Sequence, residues 1–416
     1  MIKQIEFRNW KSFSNATLYI DPLTVLIGTN SSGKSNALDG FQFLLRMAQG
    51  REINAALAGD AISSPIRGGV EWASLKSNSS FTINALIGGG TEQTDYEYSI
   101  TVETQPEIQL IAESLNRIKY RPRTANNPYR INLYETDPAR HEGPSITARF
   151  YNEKRGTSRE VSRQRSVLSQ LSGFNLRKEI TEGVKIASQT LQNIFALDPI
   201  PLNMRNYSQL SENLQSDASN IAGMLAALKE DDRNKIEMAL TDYVRHLPER
   251  DIRRIWSETV GRFRSDAMLY CEEEWVPGDN PVIMDARGMS DGTLRFIAIA
   301  AALLTRPEGS QLIIEEIDNG LHPSRVGILL RMLKEIGSKR AIDVLVTTHN
   351  PALLDALSPT MMPYVIIAHR DIKSGYSTLI PLEDIRDLPK LFARGTLGKL
   401  ITEGSLEKSL IREAVN

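Results

Sequence analysis

The run Gly28-Thr29-Asn30-Ser31-Ser32-Gly33-Lys34-Ser35 carries the most chemistry in this 416-residue chain. It reads G-x-x-x-x-G-K-S, the pattern of a loop that wraps a phosphate. Glycines let the backbone close around the anion, and loop N–H groups then converge on it as donors. Lys34 is placed to reach β- and γ-phosphates, and Ser35 to ligate Mg²⁺. The flanks fit the chemistry. Leu23 to Ile27 reads as a short buried strand, and Ser35 to Met47 sets Leu38, Phe41, Phe43, Leu44 and Leu45 at mostly helical spacing. Strand, glycine loop, helix aims the positive helix end at the bound phosphate. The candidate nucleotide contacts here are Gly28, Asn30, Ser31, Ser32, Gly33, Lys34, Ser35 and Asn36.

Three further clusters match an ATP-hydrolysing site. Leu312-Ile313-Ile314 is an apolar strand that ends in Glu315-Glu316. The first acid suits the Mg²⁺ side of a nucleotide, and the second suits polarising an attacking water. Met289-Ser290-Asp291-Gly292-Thr293 opens an apolar helix, with Ser290 or Asp291 as its cap. Val346-Thr347-Thr348-His349-Asn350-Pro351 sets His349 just past a buried strand, where ligands bind in α/β sheets.

The elements that must carry these residues follow from patterning. Strands are expected near Met1–Phe7, Ala16–Ile20, Phe81–Leu86 and Tyr96–Val102, so the N-terminal part is β-rich around one central helix. Pro122, Pro128, Pro138 and Pro144 then break up helices. Helices are expected over about Glu182–Phe195, Tyr207–Lys229 and Asp232–Val244. From Val282 onward, strands at Gln311–Ile314, Ile342–Thr347 and Met361–Ala368 alternate with helices, the signature of a mostly parallel, covered sheet. The division is into residues 1–105, an insertion 106–280 that is basic early and helical late, and residues 281–416.

Composition sets the limits. Net charge is −2, so the whole chain is no polycation. The single cysteine, Cys271, excludes an internal disulfide and a cysteine zinc site, which suits a reducing compartment. No stretch has the apolar length of a membrane span, and no signal peptide opens the chain, so a soluble cytoplasmic protein without a membrane partner is expected. One window departs from neutrality: Arg117 to Lys178 holds fourteen cations against five anions, with Tyr120, Tyr129, Tyr134, Phe150 and Tyr151 interleaved. Such a stripe suits phosphates and bases, or an acidic protein, or is plain solvated surface. Arg121, Arg123, Arg159, Arg163 and Arg165 are its candidate contacts.

Taken in order, these motifs resemble the ABC-type ATPase heads of the SMC, RecF and OLD group, and most of all the compact RecF-like ATPases. The resemblance rests on Phe7-Arg8-Asn9-Trp10-Lys11-Ser12-Phe13, the glycine loop, Ser290-Asp291-Gly292-Thr293, Glu315-Glu316, Asn319-Gly320-Leu321-His322-Pro323 and Thr347-Thr348-His349-Asn350-Pro351. The stretches Leu197-Asp198-Pro199, Met204-Arg205 and Gly395 to Leu400 add to it. It implies an α/β fold: an ABC-type P-loop head, with a β-rich N-terminal lobe, a mostly parallel sheet with flanking helices, and a basic, mainly helical insertion. It also implies ATP and Mg²⁺ as ligands, Ser35 and Glu315 on the metal, and Lys34, Glu316 and His349 as catalytic groups. Asn9, Lys11 and Ser12 would lie near the adenine. Ser290, Asp291 and Gly292 would face the nucleotide of a second copy in a homodimer or higher oligomer, with Asn319 at the seam. Asp291 stands where glycine is commoner, and Ile317-Asp318 where Pro-Glu is usual.

The resemblance further implies the ATPase subunit of a two-component system, with a separate nuclease or TOPRIM-like effector, in phage defence. Only about 65 residues follow Asn350, too few for a TOPRIM domain. The rival readings are a stand-alone RecF-like DNA repair ATPase, and an assembly scaffold in which turnover is incidental.

Overall fold

The computed structural model describes the whole chain apart from residues 62, 92, 121–127, 138–142, 152–155, 172–173, 248–251, 276–277, 279 and 416. It divides into two compact units. The first comprises residues 1–194, 365–385 and 410–416, and the second residues 195–364 and 386–409.

The first unit is built on an eight-stranded antiparallel sheet. Its strands are β1 (Ile2–Trp10), β2 (Phe13–Tyr19), β4 (Ser80–Thr91), β5 (Thr94–Glu103), β6 (Gln109–Lys119), β7 (Tyr129–Thr136), β8 (Ser145–Phe150) and β9 (Thr157–Ser162), in the order β2-β1-β4-β5-β6-β7-β8-β9. Alternate residues of β4 and β5 are buried, as the pleat requires of a sheet with one covered face. The basic early part of the insertion is thus strand, β6 to β9, and helix begins only at α3 (Val167–Gln170) and α4 (Lys178–Gln192).

A second element of this unit holds β3 (Leu23–Ile27), every residue of which is buried. It pairs in parallel with β17 (Val365–Arg370), which pairs antiparallel with β18 (Ser377–Pro381). The expected strand start at Met361 moves to Val365, because Pro359–Tyr364 winds as a short 3₁₀ turn containing Pro363. Helix α1 (Lys34–Ala48) follows β3 through the glycine loop. Trp10, Phe43 and Phe81 cluster edge-on between α1 and the large sheet, and the Trp10 indole donates to Asn36 O at 2.7 Å. The start of α1 is therefore fixed to β1.

The second unit contains β15 (Gln311–Ile314) and β16 (Asp343–Thr348) in parallel register, with β10 (Ile194–Leu197) beside β15. The strands β15 and β16 are wholly buried, as expected of a sheet covered on both faces. Helix α8 (Asp291–Thr305) is buried on nearly all sides, and α9 (Val326–Lys339) packs against α8 and β16. A smaller antiparallel sheet joins β11 (Ser208–Gln209), β12 (Ile252–Val260), β13 (Asp266–Glu273) and β14 (Val282–Asp285). Helix α7 (Glu230–Arg245) covers the edge of β12: Thr241 Oγ1 accepts from Ile255 N, and Glu237 Oε1 accepts from Ser257 N. That satisfies backbone donors an exposed edge would leave open. Cys271 is buried within this sheet.

The helix expected over Tyr207–Lys229 shrinks to α6 (Ile221–Ala227). The preceding residues are held by their own side chains instead: Asn220 Oδ1 accepts from Gln215 N, and Asp217 Oδ1 from Ser219 N. Short polar side chains that bond nearby backbone compete with helix in this way.

Candidate nucleotide site

The glycine loop lies between β3 and α1, where the sequence places it. Two of its backbone positions demand glycine. At Gly28, φ is +147°, and a Cβ would stand 2.3 Å from Ala368 O. At Gly33, φ is +113°, and a Cβ would stand 2.7 Å from Ser377 Oγ. Ser31 also adopts a left-handed φ of 65°. Lys34 Nζ curls back onto the loop, donating to Gly28 O at 2.6 Å and Thr29 O at 2.9 Å. Neither a side-chain cap nor an acid occupies the first turn of α1, so the positive helix end is left for an anion.

The residues fit a phosphate. The Ser32 hydroxyl is buried and makes no hydrogen bond among the described residues. A buried polar group without a partner is costly, and a phosphate oxygen is the partner this loop pattern supplies. The expected Mg²⁺ donors, a Ser35 hydroxyl and a Glu315 carboxylate, are hard oxygen ligands of the kind that hold Mg²⁺ together with phosphates. Among the described residues no cluster of three His, Cys, Asp or Glu side chains forms a separate metal site.

A cleft of about 390 Å³ in the same unit is lined by Lys11, Ser12, Asn36, Arg67, Lys76 and Arg370, with Trp72, Tyr376, Leu75 and Gly375. It holds four cations, no carboxylate, and two large rings. Asn36 reaches it from the first turn of α1 and donates to Ser12 Oγ at 2.7 Å. Lys11 lies at its inner wall, 9% exposed, with Nζ donating to Asp39 Oδ2 and to Arg67 O, both at 2.6 Å. Burial pulls the Lys11 ammonium below its ordinary pKa, and Asp39 opposes that shift. An ammonium has three N–H donors, so the two bonds leave one for a ligand. Asn9 and Lys11 both have left-handed φ, 53° and 52°, which turns the chain between β1 and β2. Of the residues that the resemblance sets near the adenine, Lys11 and Ser12 line this cleft and Asn9 does not; Arg67, Trp72, Arg370 and Tyr376 line it without having been expected. These sit on loops distant in the chain, and no spacing announces them.

In the second unit, Glu315 and Glu316 follow β15 directly. Glu316 takes a left-handed φ of 47°, a conformation that strains a non-glycine residue. Bonds to the end of β16 hold it: Glu316 N donates to Thr347 Oγ1 at 2.8 Å, and Ile317 N donates to Thr347 O at 3.1 Å. Its carboxylate is half exposed, 3.8 Å from His349 Nδ1. The departure at Ile317-Asp318 is explained here. Asp318 is buried and accepts from Thr348 Oγ1 at 2.5 Å, tying the loop after Glu316 to the turn that carries His349. Asn319 is exposed beyond it, in the turn closed by Asn319 N donating to Glu316 O.

Ser290 caps α8, its Oγ accepting from Thr293 N at 3.2 Å. Gly292 lies close to Gly320 O and the Arg325 guanidinium, and Arg325 Nη1 donates to Thr293 Oγ1 at 3.2 Å. Asp291, next to the cap, is ion-paired to Arg205 at 2.6 Å.

The basic stripe does not survive folding as a uniform surface. Arg121 and Arg123 lie outside the described residues. Arg163 is 4% exposed and donates to Ser145 O and Gln109 Oε1, so it is a strand-to-strand latch and not the exposed contact expected of it. Arg130, Arg149 and Arg165 are paired with Glu97, Asp137 and Glu52. Arg159 stands exposed on β9. Of the three acids, Asp137 belongs to the stripe itself, while Glu97 on β5 and Glu52 come from outside it and add to the compensation.

A family described as "AAA domain, putative AbiEii toxin, Type IV TA system" matches residues 23–355. The chain belongs to this family. Its membership supports ATPase activity. The fold is that of an SMC-head-type ABC ATPase: a crystal structure of an Smc head bound to the C-terminal winged-helix domain of ScpA matches with a TM-score of 0.53 at 14% identity, covering 91% of this chain and 97% of that one. The SMC head domain from Thermotoga maritima matches at 14% identity with a TM-score of 0.45, over 91% and 98% of the two chains. A chromosome partition protein Smc from Methanococcus voltae is 42% identical over 55 residues, 13% of this chain and 5% of that protein's length. Among the described residues no helix is long and apolar enough to cross a membrane.

Proposed function

We propose that this AAA-family chain binds ATP with Mg²⁺ and hydrolyses it, and that nucleotide binding draws two copies together. The observation that carries the reading is the glycine loop: two positions that admit no side chain, a lysine folded over it, and a buried serine hydroxyl lacking a partner. Lys34 leaves its loop carbonyls for the β- and γ-phosphates. The cationic cleft takes the base and ribose, Trp72 and Tyr376 supplying rings to stack on and Lys11, Arg67 and Arg370 the positive field. Ser35 and Glu315 would hold Mg²⁺, which would supply charge screening to the phosphates. Glu316 takes a proton from the attacking water as the water oxygen bonds the γ-phosphorus; the bond to the bridging oxygen breaks with its electron pair going to ADP, and ADP and phosphate leave. His349, beside Glu316, senses the γ-phosphate. Ser290, Asp291 and Gly292 serve the nucleotide of a second copy, and Asn319 lies at the seam.

The toxin–antitoxin context of the family supports a role beside a separate effector, of nuclease or toxin type, in phage defence. The pairing of Arg130, Arg149 and Arg165 with acids, and the burial of Arg163, speak against the stripe as a DNA-binding face and so against the repair reading. Glu316→Gln tests the pairing. With ATP and Mg²⁺ this variant should sediment as a stable dimer or higher oligomer, with turnover down about 10²–10⁴-fold. A variant that stays monomeric and turns over normally would remove Glu316 from its role.

A further inference from the structure

An acid in the first turn of α8 suits the helix dipole but competes with any phosphate brought to the same helix end. The N-terminus of a fifteen-residue helix attracts anions, and under the reading above Ser290 faces the phosphate of a second copy's nucleotide. Asp291, facing the same nucleotide, brings a negative charge that would repel its phosphate unless a neighbouring cation answers it. The Asp291 side chain is 65% exposed. Arg205 answers it. This residue ends the short helix α5 (Pro201–Met204), 86 positions earlier in the chain. One nitrogen, Nη2, donates to Asp291 Oδ1 at 2.6 Å and to Met289 O at 2.9 Å. The guanidinium thus grips both sides of Ser290. Met204, adjacent, is fully buried and anchors the arginine, and Arg205 itself is only 24% exposed. Two residues on, the Tyr207 ring lies 5.9 Å from the Arg287 guanidinium, a second contact between this segment and the run leading to Ser290.

We propose that Arg205 is a positioning residue that neutralises Asp291, so that the Ser290 loop accepts the polyphosphate of a second copy. The inference rests on the nucleotide-driven pairing proposed above. A purely structural arginine would also be missed when removed, so the test must read charge. Arg205→Ala should leave ATP affinity of the monomer, read with a fluorescent ATP analogue, within about twofold, since that site lies in the glycine loop. ATP-dependent dimerisation and turnover should fall about tenfold or more, the scale of an uncompensated like charge at a partly exposed contact. Adding Asp291→Asn to Arg205→Ala should restore most of the loss, because no charge then needs an answer. The defect should also shrink between 50 and 500 mM salt, roughly as Debye screening dictates. Arg205→Lys keeps the charge and should retain turnover within about threefold; it is the readout if Arg205→Ala does not fold. If Arg205→Ala dimerises normally, the proposal fails. It fails equally if the defect is indifferent to salt and to Asp291→Asn. If the unaltered chain shows no ATP-dependent pairing, the broader reading is what has failed.

Discussion

Glu113 offers a pH test of how the first unit is built. It lies on β6, fully buried, at the start of α3. Its carboxyl accepts from Val167 N at 2.6 Å, Leu168 N at 2.8 Å and the Tyr134 hydroxyl at 2.8 Å. These bonds pin α3, and Ser166 at the same turn donates to Met47 O near the end of α1. Glu113 therefore braces the helix that begins at the phosphate loop. Burial raises its pKa from 4.5 to about 7, although the three donors pull it down. A carboxyl whose folded pKa is raised contributes stability that is fully present below pH 4.5 and is lost as pH climbs through the folded value. The span, worth about 1.4 kcal/mol for each pH unit, comes to about 3 kcal/mol between pH 4.5 and 7. Other groups titrate too, so the informative quantity is the difference between the unaltered chain and Glu113→Gln. Gln keeps one acceptor oxygen but aims an N–H₂ at backbone donors, and should be less stable by about 1–3 kcal/mol where Glu113 is protonated. Urea unfolding at pH 5 and pH 8 measures both. On going from pH 5 to pH 8 the advantage of the unaltered chain should fall by about 2.5 kcal/mol, enough to close or reverse the gap, since only that chain has a buried charge to carry there. An advantage that stays constant, or grows, would refute the account of Glu113.

Gly28→Ala should cost about 1–3 kcal/mol in backbone strain, besides the clash with Ala368 O, and should abolish ATP binding measured by calorimetry. Trp72→Ala should weaken ATP about threefold to tenfold, the worth of one ring contact, with less effect on inorganic triphosphate in competition binding. Asp39→Asn should loosen Lys11 and through it the Arg67 loop; an ATP Kd raised about tenfold is expected, and unchanged affinity would remove the cleft from the site.

The sequence was most legible where chemistry and local geometry coincide. The loop from Gly28 to Ser35 dictates its own conformation, so β3 and α1 followed from it, and Ser290 announced the cap of α8. Acids after an apolar run located Glu315 and Glu316. What stayed hidden depends on long-range partners. Arg163 reads as one more surface cation until β8 places Ser145 O beside it. The polar run from Tyr207 to Asn220 has enough apolar residues for a helix, but its Asn and Asp side chains take the backbone donors. Arg67, Trp72, Arg370 and Tyr376 meet only after β1, the turn before β4, and the β17–β18 hairpin are assembled. Asp318 reads as an irregular substitution until Thr348 is found bonded to it.

The central claim is best tested by ATP turnover and binding, comparing the unaltered chain with Lys34→Ala, with Mg²⁺ and with EDTA. The account predicts phosphate release that needs Mg²⁺, and no measurable ATP binding or turnover in Lys34→Ala. Tight ATP binding retained by Lys34→Ala, or an unaltered chain that neither binds nor hydrolyses ATP, would contradict it.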